Sequence, residues 1–182
     1  MKGVLKNLHR YVTWALVSLF FWAWIFTLIT DAPAGKKLIL YAEVSALERQ
    51  TLSAALEEAM PDHIRFVEAR PFSDELFQPG NLLAGDLFIV PESKAAGYKD
   101  TFTPIDPQAF AGEELLYLDG VPYGVCVFDE AAGIRRGAGF VSYEPGQKYG
   151  LFFQAKSKHL GDWNGSDDDA AIRAARRFLC LP

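Results

Sequence analysis

Four side chains are candidates for ligand binding: Ser45, Glu92, Ser93 and Trp163. The first three follow predicted strands, and ligands of an open parallel sheet bind beyond the carboxyl ends of its strands. A serine that starts a helix there would lie beside free backbone N–H groups, which favour an anion or a sugar hydroxyl. Trp163 offers an aromatic face on which a sugar ring can stack.

Each of these residues also has a purely structural interpretation, and the sequence leaves both interpretations open. Ser45 can be a helix N-cap that binds no ligand. Glu92 and Ser93 can belong to a solvated turn. Trp163, in the loop sequence Gly-Asp-Trp-Asn-Gly, can cover the core instead of stacking on a sugar.

The chain lacks the short motifs of common catalytic and metal sites. Its three histidines are far apart in sequence, and no H-E-x-x-H, C-x-x-C or G-x-S-x-G occurs. Asp167–Asp169 is better explained as the first turn of a helix than as a metal site, because consecutive helical residues point in different directions. Cys126 and Cys180 leave a single disulfide open, although Cys126 lies in an apolar run typical of a buried free thiol. We predict no catalytic residue, no metal ligand and no cofactor.

The first half of the predicted domain alternates strands and helices. The apolar runs 38–44 and 87–90 predict buried strands, and residues 63–68 predict a second strand between them. The capping box Ser45-Ala46-Leu47-Glu48 predicts a helix that starts at Ser45 and ends near Met60. A short helix is predicted from Ser73 around Leu76 and Phe77. Strand–helix–strand units of this length favour right-handed crossovers and a parallel sheet.

The second half favours hairpins and a final helix. Asp119-Gly120 is a strong two-residue turn signal. Two hairpins are predicted: 115–118 with 121–128, and 137–143 with 149–153. Ser166 is predicted to start the last helix, with arginines near its end and an apolar face of Ile172, Ala175 and Leu179.

The segment Tyr11–Thr30 contains no charged residue and is long enough to cross a bilayer. A helix of 20 residues spans about 30 Å, the thickness of the hydrocarbon core. Three basic residues precede the segment and Asp31 follows it. The positive-inside rule therefore predicts that residues 1–10 are cytoplasmic and that the rest of the chain lies outside the cytoplasm.

A cleaved signal peptide is the alternative to this anchor. Ala32-Pro33-Ala34 matches a small-residue cleavage site, but the apolar segment is longer than the usual 7–15 residues of a signal peptide. Its end also carries bulky aromatic residues. We predict a retained helix with the lipid bilayer as its partner, and the alternative is a secreted domain.

The chain after the predicted helix forms an acidic domain. We predict a linker over residues 31–37 and one extracytoplasmic α/β domain over residues 38–182. Residues 31–182 hold 15 of the 18 basic residues and all 23 acidic residues, a formal charge of −8. Such a charge argues against nucleic acid as a partner and against contact with an anionic lipid surface.

Four stretches of this domain carry a family resemblance: Leu38–Tyr41 with the helix after Ser45, Gly85–Val90, Leu118–Val125, and Tyr149–Gln154 with the helix of residues 168–179. In this order they resemble the extracellular solute-binding proteins of ABC transporters. The resemblance implies a periplasmic-binding-protein-like, mainly parallel sheet with helices and C-terminal hairpin strands. Members of that family have two lobes and a lipidated cysteine, whereas this chain has room for one lobe and lacks that cysteine.

We predict a single-pass membrane protein whose outer domain binds a small solute such as a sugar, or a protein partner, without catalysis. The partner would be a membrane protein or a second lobe supplied in trans. The alternative is a structural or regulatory interaction domain with no small-molecule ligand. A small secreted hydrolase is the third hypothesis.

Overall fold

The computed structural model describes residues 2–30, 33–72, 85–166 and 168–182. They belong to two compact units, Met1–Pro33 and Ala34–Pro182, and each is described by itself. The boundary between the units falls inside the predicted linker. The short helix predicted from Ser73 lies outside the described residues.

The first unit is a single helix, α1, over Lys2–Thr30. Among the described residues it holds the one stretch, Asn7–Thr27, that is long and apolar enough to cross a membrane or to be a signal sequence. Large apolar side chains such as Trp14 and Phe20 are exposed around it. An apolar helix of this kind needs lipid or protein around it.

The described part of the second unit contains nine strands and three helices. Seven of the strands form the main sheet. The strands are β1 Lys37–Ala42, β2 Ala46–Leu47, β3 Phe66–Pro71, β4 Leu87–Pro91, β5 Leu115–Leu118, β6 Val121–Asp129, β7 Ile134–Arg135, β8 Val141–Ser142 and β9 Tyr149–Phe153. The helices are α2 Arg49–Glu57, α3 Glu92–Ala95 and α4 Ala170–Leu179. Short 3-10 turns cover Ala34–Lys36, Ala96–Thr101, Pro107–Phe110 and Gly161–Trp163.

The main sheet has seven strands in the order β3-β1-β4-β9-β6-β5, with β7 paired to β6. Strand β1 runs parallel to both β3 and β4, which confirms the three predicted parallel strands. The other pairs are antiparallel, because β9 runs against β4 and β6. The sheet is therefore mixed, and the prediction of a mainly parallel sheet is wrong. A continuous apolar run shows that a strand is buried but not which way it runs.

Both faces of the main sheet are covered. On β1, Leu38 and Leu40 join the core cluster that includes residues of α2 and α4. Ile39 and Tyr41 join the opposite cluster, where Phe88 stacks against Tyr41. Successive residues of a strand point to opposite faces, so a strand buried on both sides reads as an unbroken apolar run.

The predicted hairpin at Asp119-Gly120 is confirmed. Both residues adopt positive φ, 53° and 79°, and Leu118 pairs with Val121. Two positive φ angles define a type I′ turn, whose twist matches that of the flanking strands.

The predicted capping box at Ser45 is wrong. The Ser45 N–H and hydroxyl both donate to the Ser142 carbonyl, at 3.0 and 2.7 Å. The two following residues form β2, which pairs with β8. Helix α2 therefore begins only at Arg49 and ends at Glu57 rather than near Met60. Pairing with β8 satisfies the backbone hydrogen-bonding groups of these residues, which in a helix would bond within the helix.

The second predicted hairpin is also wrong. Val141–Ser142 pairs with β2, and β9 pairs with β4 and β6 instead. All five residues of β9 are buried, so this strand gains more from two neighbours than from one hairpin partner.

Two other boundaries differ from the predictions. Strand β3 begins at Phe66, three residues after the predicted start at His63. Helix α4 begins at Ala170 rather than Ser166, because the Asp168 carboxylate accepts a hydrogen bond from the Ala170 N–H at 2.9 Å and stands before the helix. The apolar face of Ile172, Ala175 and Leu179 is buried as predicted.

Truncation of a core residue in the parallel strands should destabilise the domain. Leu40 is 1% exposed and Ile89 is 0% exposed. We expect Leu40→Ala or Ile89→Ala to lower the free energy of unfolding by about 2–5 kcal/mol, because each leaves a cavity. Phe66→Ala is the matched control: Phe66 is 48% exposed, and its truncation should cost less than about 1 kcal/mol. Denaturant unfolding of the full chain in detergent measures both. Equal costs for Leu40→Ala and Phe66→Ala would contradict the core assignment.

Candidate functional site

The carboxyl ends of β1 and β4 meet where the order of the parallel strands reverses. From β1 the chain passes to β3 on one side and then to β4 on the other. The crevice outside such a switch point is the usual ligand site of open α/β sheets. Backbone hydrogen bonds of 2.8 Å fix both ends, from the Glu43 N–H to the Ile89 carbonyl and from the Glu92 N–H to the Lys148 carbonyl.

Glu43 is the charged group at this switch point. Its Oε1 forms an ion pair with the Lys94 ammonium. Its Oε2 is buried and has no hydrogen-bond partner among the described residues. Such an unmet acceptor costs about 1–3 kcal/mol. Burial raises the pKa of the nearby Tyr149 hydroxyl, and the negative charges of Glu144 and then Glu43 raise it further. Because its Oε2 has no donor among the described residues, the Glu43 carboxylate can accept one more hydrogen bond.

Three of the four predicted site residues lie at this end of the sheet. Glu92 is half-buried and Ser93 is exposed at the start of α3, directly after β4. Ser45 is exposed two residues after Glu43, but it does not stand at a helix N-terminus and its hydroxyl donates to the Ser142 carbonyl. Ser45 therefore lies at the strand ends as predicted, but the prediction that it stands beside the free N–H groups of a helix start is wrong.

Trp163 does not join the other three residues. It is half-buried in a 3-10 turn, and its ring packs edge-on against Phe153 and Phe110 at centroid distances of 5.1 and 6.1 Å. Phe153 pairs with Leu87 at the start of β4, which is the opposite end of the parallel strands. This contact is the one described by the alternative in which Trp163 covers the core.

A buried polar network lies at that opposite end. The Asp86 carboxylate accepts from the Ile39 N–H at 2.8 Å and from the Ser157 hydroxyl at 2.6 Å. The Ser157 oxygen in turn accepts from the His159 N–H at 3.1 Å. Burial raises the pKa of Asp86, and its two hydrogen bonds oppose that rise. These bonds join β1, the start of β4 and the segment after β9.

His159 and Asp168 continue the network toward α4. His159 is 1% exposed. Its Nδ1 lies 2.9 Å from the Asp168 carboxylate, and its Nε2 donates to the Lys37 carbonyl at 3.2 Å. His63 Nε2 lies 3.0 Å from the same carboxylate. Burial alone would raise the pKa of Asp168, but the Ala170 N–H and the two imidazoles outweigh it and lower that pKa. Both nitrogens of His159 thus face acceptors, as in an imidazolium paired with an ionised carboxylate.

This network has the contacts of a structural site rather than a catalytic one. Ser157 directs its hydroxyl at a carboxylate and meets His159 only through the backbone N–H of that residue. A serine nucleophile needs an imidazole nitrogen as its base within hydrogen-bond reach. The bonds instead tie together segments that are remote in sequence.

A further cluster contains three groups that could ligate a metal. Ligand atoms of Glu114, Cys126 and Asp129 lie within 4.8 Å of one another, and this is the one such group among the described residues. Lys148 pairs with Glu114 and, at 3.3 Å, with Asp129. Burial raises the pKa of the Cys126 thiol to about 11, whereas metal ligation requires the thiolate. We assign the cluster to ion pairing with Lys148. Cys126 and Cys180 are both free thiols.

Sequence reasoning missed Glu43 and the His159–Asp168 pair. Glu43 carried a usable signal, because it is the acidic residue at the end of the predicted first strand. His159 carried none, since its partner Lys37 is 122 residues away in sequence.

Comparison with protein-family models, with curated proteins and with solved structures finds no match to this chain. The resemblance to solute-binding proteins therefore stays a prediction from sequence. Function has to be inferred from the chain's own side chains.

The buried pair should contribute strongly to stability. We expect Asp168→Asn to lower the free energy of unfolding by about 3 kcal/mol, because it leaves His159 buried without its carboxylate. Asp169→Asn is the matched control, because within the described part of the chain the Asp169 carboxylate pairs only with Arg173, and the two side chains are 46% and 52% exposed. Its cost should stay below about 1 kcal/mol. Thermal and denaturant unfolding of the two variants measure the difference, and equal costs would contradict the role of the pair.

The stabilisation from Asp168 should also depend on pH. The pKa of Asp168 is lower in the fold than its ordinary value. Its contribution is therefore complete above about pH 5 and is lost as the pH falls through the lowered pKa. The difference in stability between the wild type and Asp168→Asn should shrink below about pH 4. A difference that stays constant down to about pH 2 would contradict the assignment.

Proposed function

We propose that this chain is a single-pass membrane protein whose outer α/β domain binds a small polar solute, without catalysis, at the carboxyl ends of β1 and β4. The observation that carries the proposal is the Glu43 carboxylate. It lies at the switch point of the sheet, and one of its oxygens lacks a hydrogen-bond donor among the described residues.

The chemistry of this end favours a solute that donates hydrogen bonds. An ammonium or hydroxyl group would supply the donor that Glu43 Oε2 lacks, and a sugar or a small amine carries such groups. The side chains of Glu43 and of its partner Lys94 are 23% and 43% exposed, so a ligand can approach this carboxylate and reaches Oε2 when a neighbouring side chain moves. Glu92 and Ser93 add a carboxylate and a hydroxyl directly after β4.

One lobe supplies only part of such a site. Effective small-molecule sites enclose about 70–90% of a ligand's surface. The order β3-β1-β4, with the first parallel strand between the next two, is that of a doubly wound sheet and supports the resemblance to one lobe of a solute-binding protein. We therefore propose that a membrane protein partner, or a second lobe in trans, completes the second wall.

Two other functions remain as alternatives. A structural or regulatory interaction domain would use the same surface for a protein and bind no solute. The unmet acceptor of Glu43 requires a hydrogen-bond donor, which either a solute or a protein partner can supply, so the solute screen below distinguishes the two functions. A small secreted hydrolase is the weakest hypothesis, because Ser157 faces Asp86 rather than an imidazole base.

The proposed anchor predicts an intact N-terminus. In isolated membranes, the protein should resist release by alkaline carbonate, because a helix that spans the bilayer is held by its apolar side chains. N-terminal sequencing of that protein should begin at or near Met1. A mature chain beginning at Gly35 would instead identify the helix as a cleaved signal and the domain as secreted.

The proposed site predicts a solute-dependent thermal shift. Full-length protein in detergent is screened against sugars, polyols, amines and amino acids. A binding solute at about 100 times its Kd should stabilise the wild type by about 2.7 kcal/mol, with saturation. Glu43→Gln keeps the side-chain shape, removes the charge and should abolish the shift. Glu58→Gln is the matched control, because Glu58 is an ion-paired but 70% exposed carboxylate, and it should keep the shift.

Two results would contradict this site. A shift that persists in Glu43→Gln would place the ligand elsewhere on the domain. A flat panel for all three proteins would exclude these solute classes and favour the interaction domain.

A further inference from the structure

Of the 15 basic side chains of the domain, nine are neutralised by an acidic neighbour among the described residues and six are not. Ion pairs within the described residues hold Lys37, Arg70, Lys94, Lys99, Arg135, Arg136, Lys148, Arg173 and Arg177. Within the same residues Arg176 donates to a backbone carbonyl, and Arg49 is unpaired on α2. The remaining four cations, Lys36, Arg65, Lys156 and Lys158, have no ion pair among the described residues, and we call them the basic edge.

The fold brings the basic edge together from three separate segments. The Arg65 N–H donates to the Lys36 carbonyl at 2.8 Å, which joins the residues before β3 and β1. The side chain of His159 reaches the Lys37 carbonyl at 3.2 Å, which places Lys158 beside the same segment. Lys156 flanks Ser157, whose hydroxyl binds Asp86. All four cations therefore lie where β1 and β3 start and β9 ends.

Two of the acidic groups near the basic edge are already occupied, and one is not. Arg70, together with Lys37, pairs with Glu68 and lowers the pKa of that carboxyl to about 2. Asp168 is held by His159 and His63. Asp62 is exposed beside His63 and is the acidic neighbour without such a partner among the described residues. Arg65, Lys156 and Lys158 are exposed and Lys36 is half-exposed, so their charges face outward.

The connection to the N-terminal helix selects one class of anion. Lys36 follows Thr30, the last residue of α1, by six residues. An extended chain of that length reaches at most about 20 Å. A membrane that holds α1 therefore lies within reach of this edge, whereas a free polyanion has no such tether. Each cation close to an anionic bilayer is attracted to it, and the attraction fades within a Debye length.

We propose that the basic edge binds the headgroups of anionic lipids in the membrane that holds α1. This inference rests on the proposed membrane anchor but not on the solute site. It also limits what the net charge implies: the domain is acidic on average, yet four of its six cations without an acidic partner among the described residues lie on one edge, which begins six residues after α1.

Lysine labelling of the full chain in nanodiscs tests the proposal. Acetylation rates at single lysines are measured by mass spectrometry in nanodiscs of phosphatidylcholine alone and of phosphatidylcholine with about 30% phosphatidylglycerol. Labelling of Lys36, Lys156 and Lys158 should be about threefold slower with phosphatidylglycerol, and about 0.5 M salt should remove the difference. Lys94 and Lys99 are the internal controls and should be labelled equally in both discs.

A charge variant separates the edge from a general effect. In Arg65→Gln/Lys156→Gln/Lys158→Gln, the protection of Lys36 by phosphatidylglycerol should be lost, whereas Arg49→Gln, an unpaired cation elsewhere, should retain it. Unchanged melting temperatures show that both variants are folded.

Each contrary result overturns the proposal. Equal labelling in the two discs shows that no anionic headgroup is bound. Slowing of all lysines alike shows a uniform surface potential rather than a local site. Protection that appears in phosphatidylcholine discs only when an RNA oligonucleotide is added assigns the edge to nucleic acid. Carbonate extraction distinguishes the two claims: release of the chain refutes the anchor, while a retained chain with unprotected lysines refutes only the lipid contact.

Discussion

The buried carboxylate of Asp86 sets where the parallel part of the sheet begins. Its Oδ2 accepts from the Ile39 N–H, and its own N–H donates to the Ile39 carbonyl at 2.9 Å. Its Oδ1 binds Ser157, so one acidic residue ties β1 to the start of β4 and to the segment after β9. A slip of one residue in β1 would turn Leu40 to the wrong face of the sheet. The positions of the amino and carboxyl ends of β1 relative to β4 therefore depend on this register.

The sequence predicts what neighbouring residues decide. Asp119-Gly120 adopts positive φ in both residues, and that turn depends on the two residues themselves. The strand at residues 87–90 was likewise predictable, because a short continuous apolar run is visible in the local sequence. Ser45 shows the limit: its capping box is locally sound, but its backbone and hydroxyl bond Ser142, 97 residues away. Tertiary pairing of this range overrides a local preference and leaves no mark in the short sequence pattern.

The polar groups follow the same division. Glu43 could be selected from sequence, because it is the acidic residue near the end of the predicted first strand, two residues before the predicted site residue Ser45. His159 could not, since its ring binds the Lys37 carbonyl and the Asp168 carboxylate only after β1 and the segment after β9 have come together. Asp168 stood in an acidic run that a helix start explained better than a metal site did. Its lowered pKa arises from donors that only the fold supplies.

The two ends of the parallel strands differ in how their charges are satisfied. At the amino end Asp168 receives several donors, so a change there removes a bond and lowers stability. At the carboxyl end Glu43 keeps an oxygen without a donor among the described residues, and this costs about 1–3 kcal/mol in the free protein. In the proposed complex, a ligand that supplies the donor would remove that cost. The same reasoning applies to cations, because the ion pair with Glu68 weakens the attraction of Lys37 for an outside anion, whereas Lys36 beside it has no such pair among the described residues. Local pairing, rather than the net charge of −8, therefore decides which surface of this domain attracts which ion.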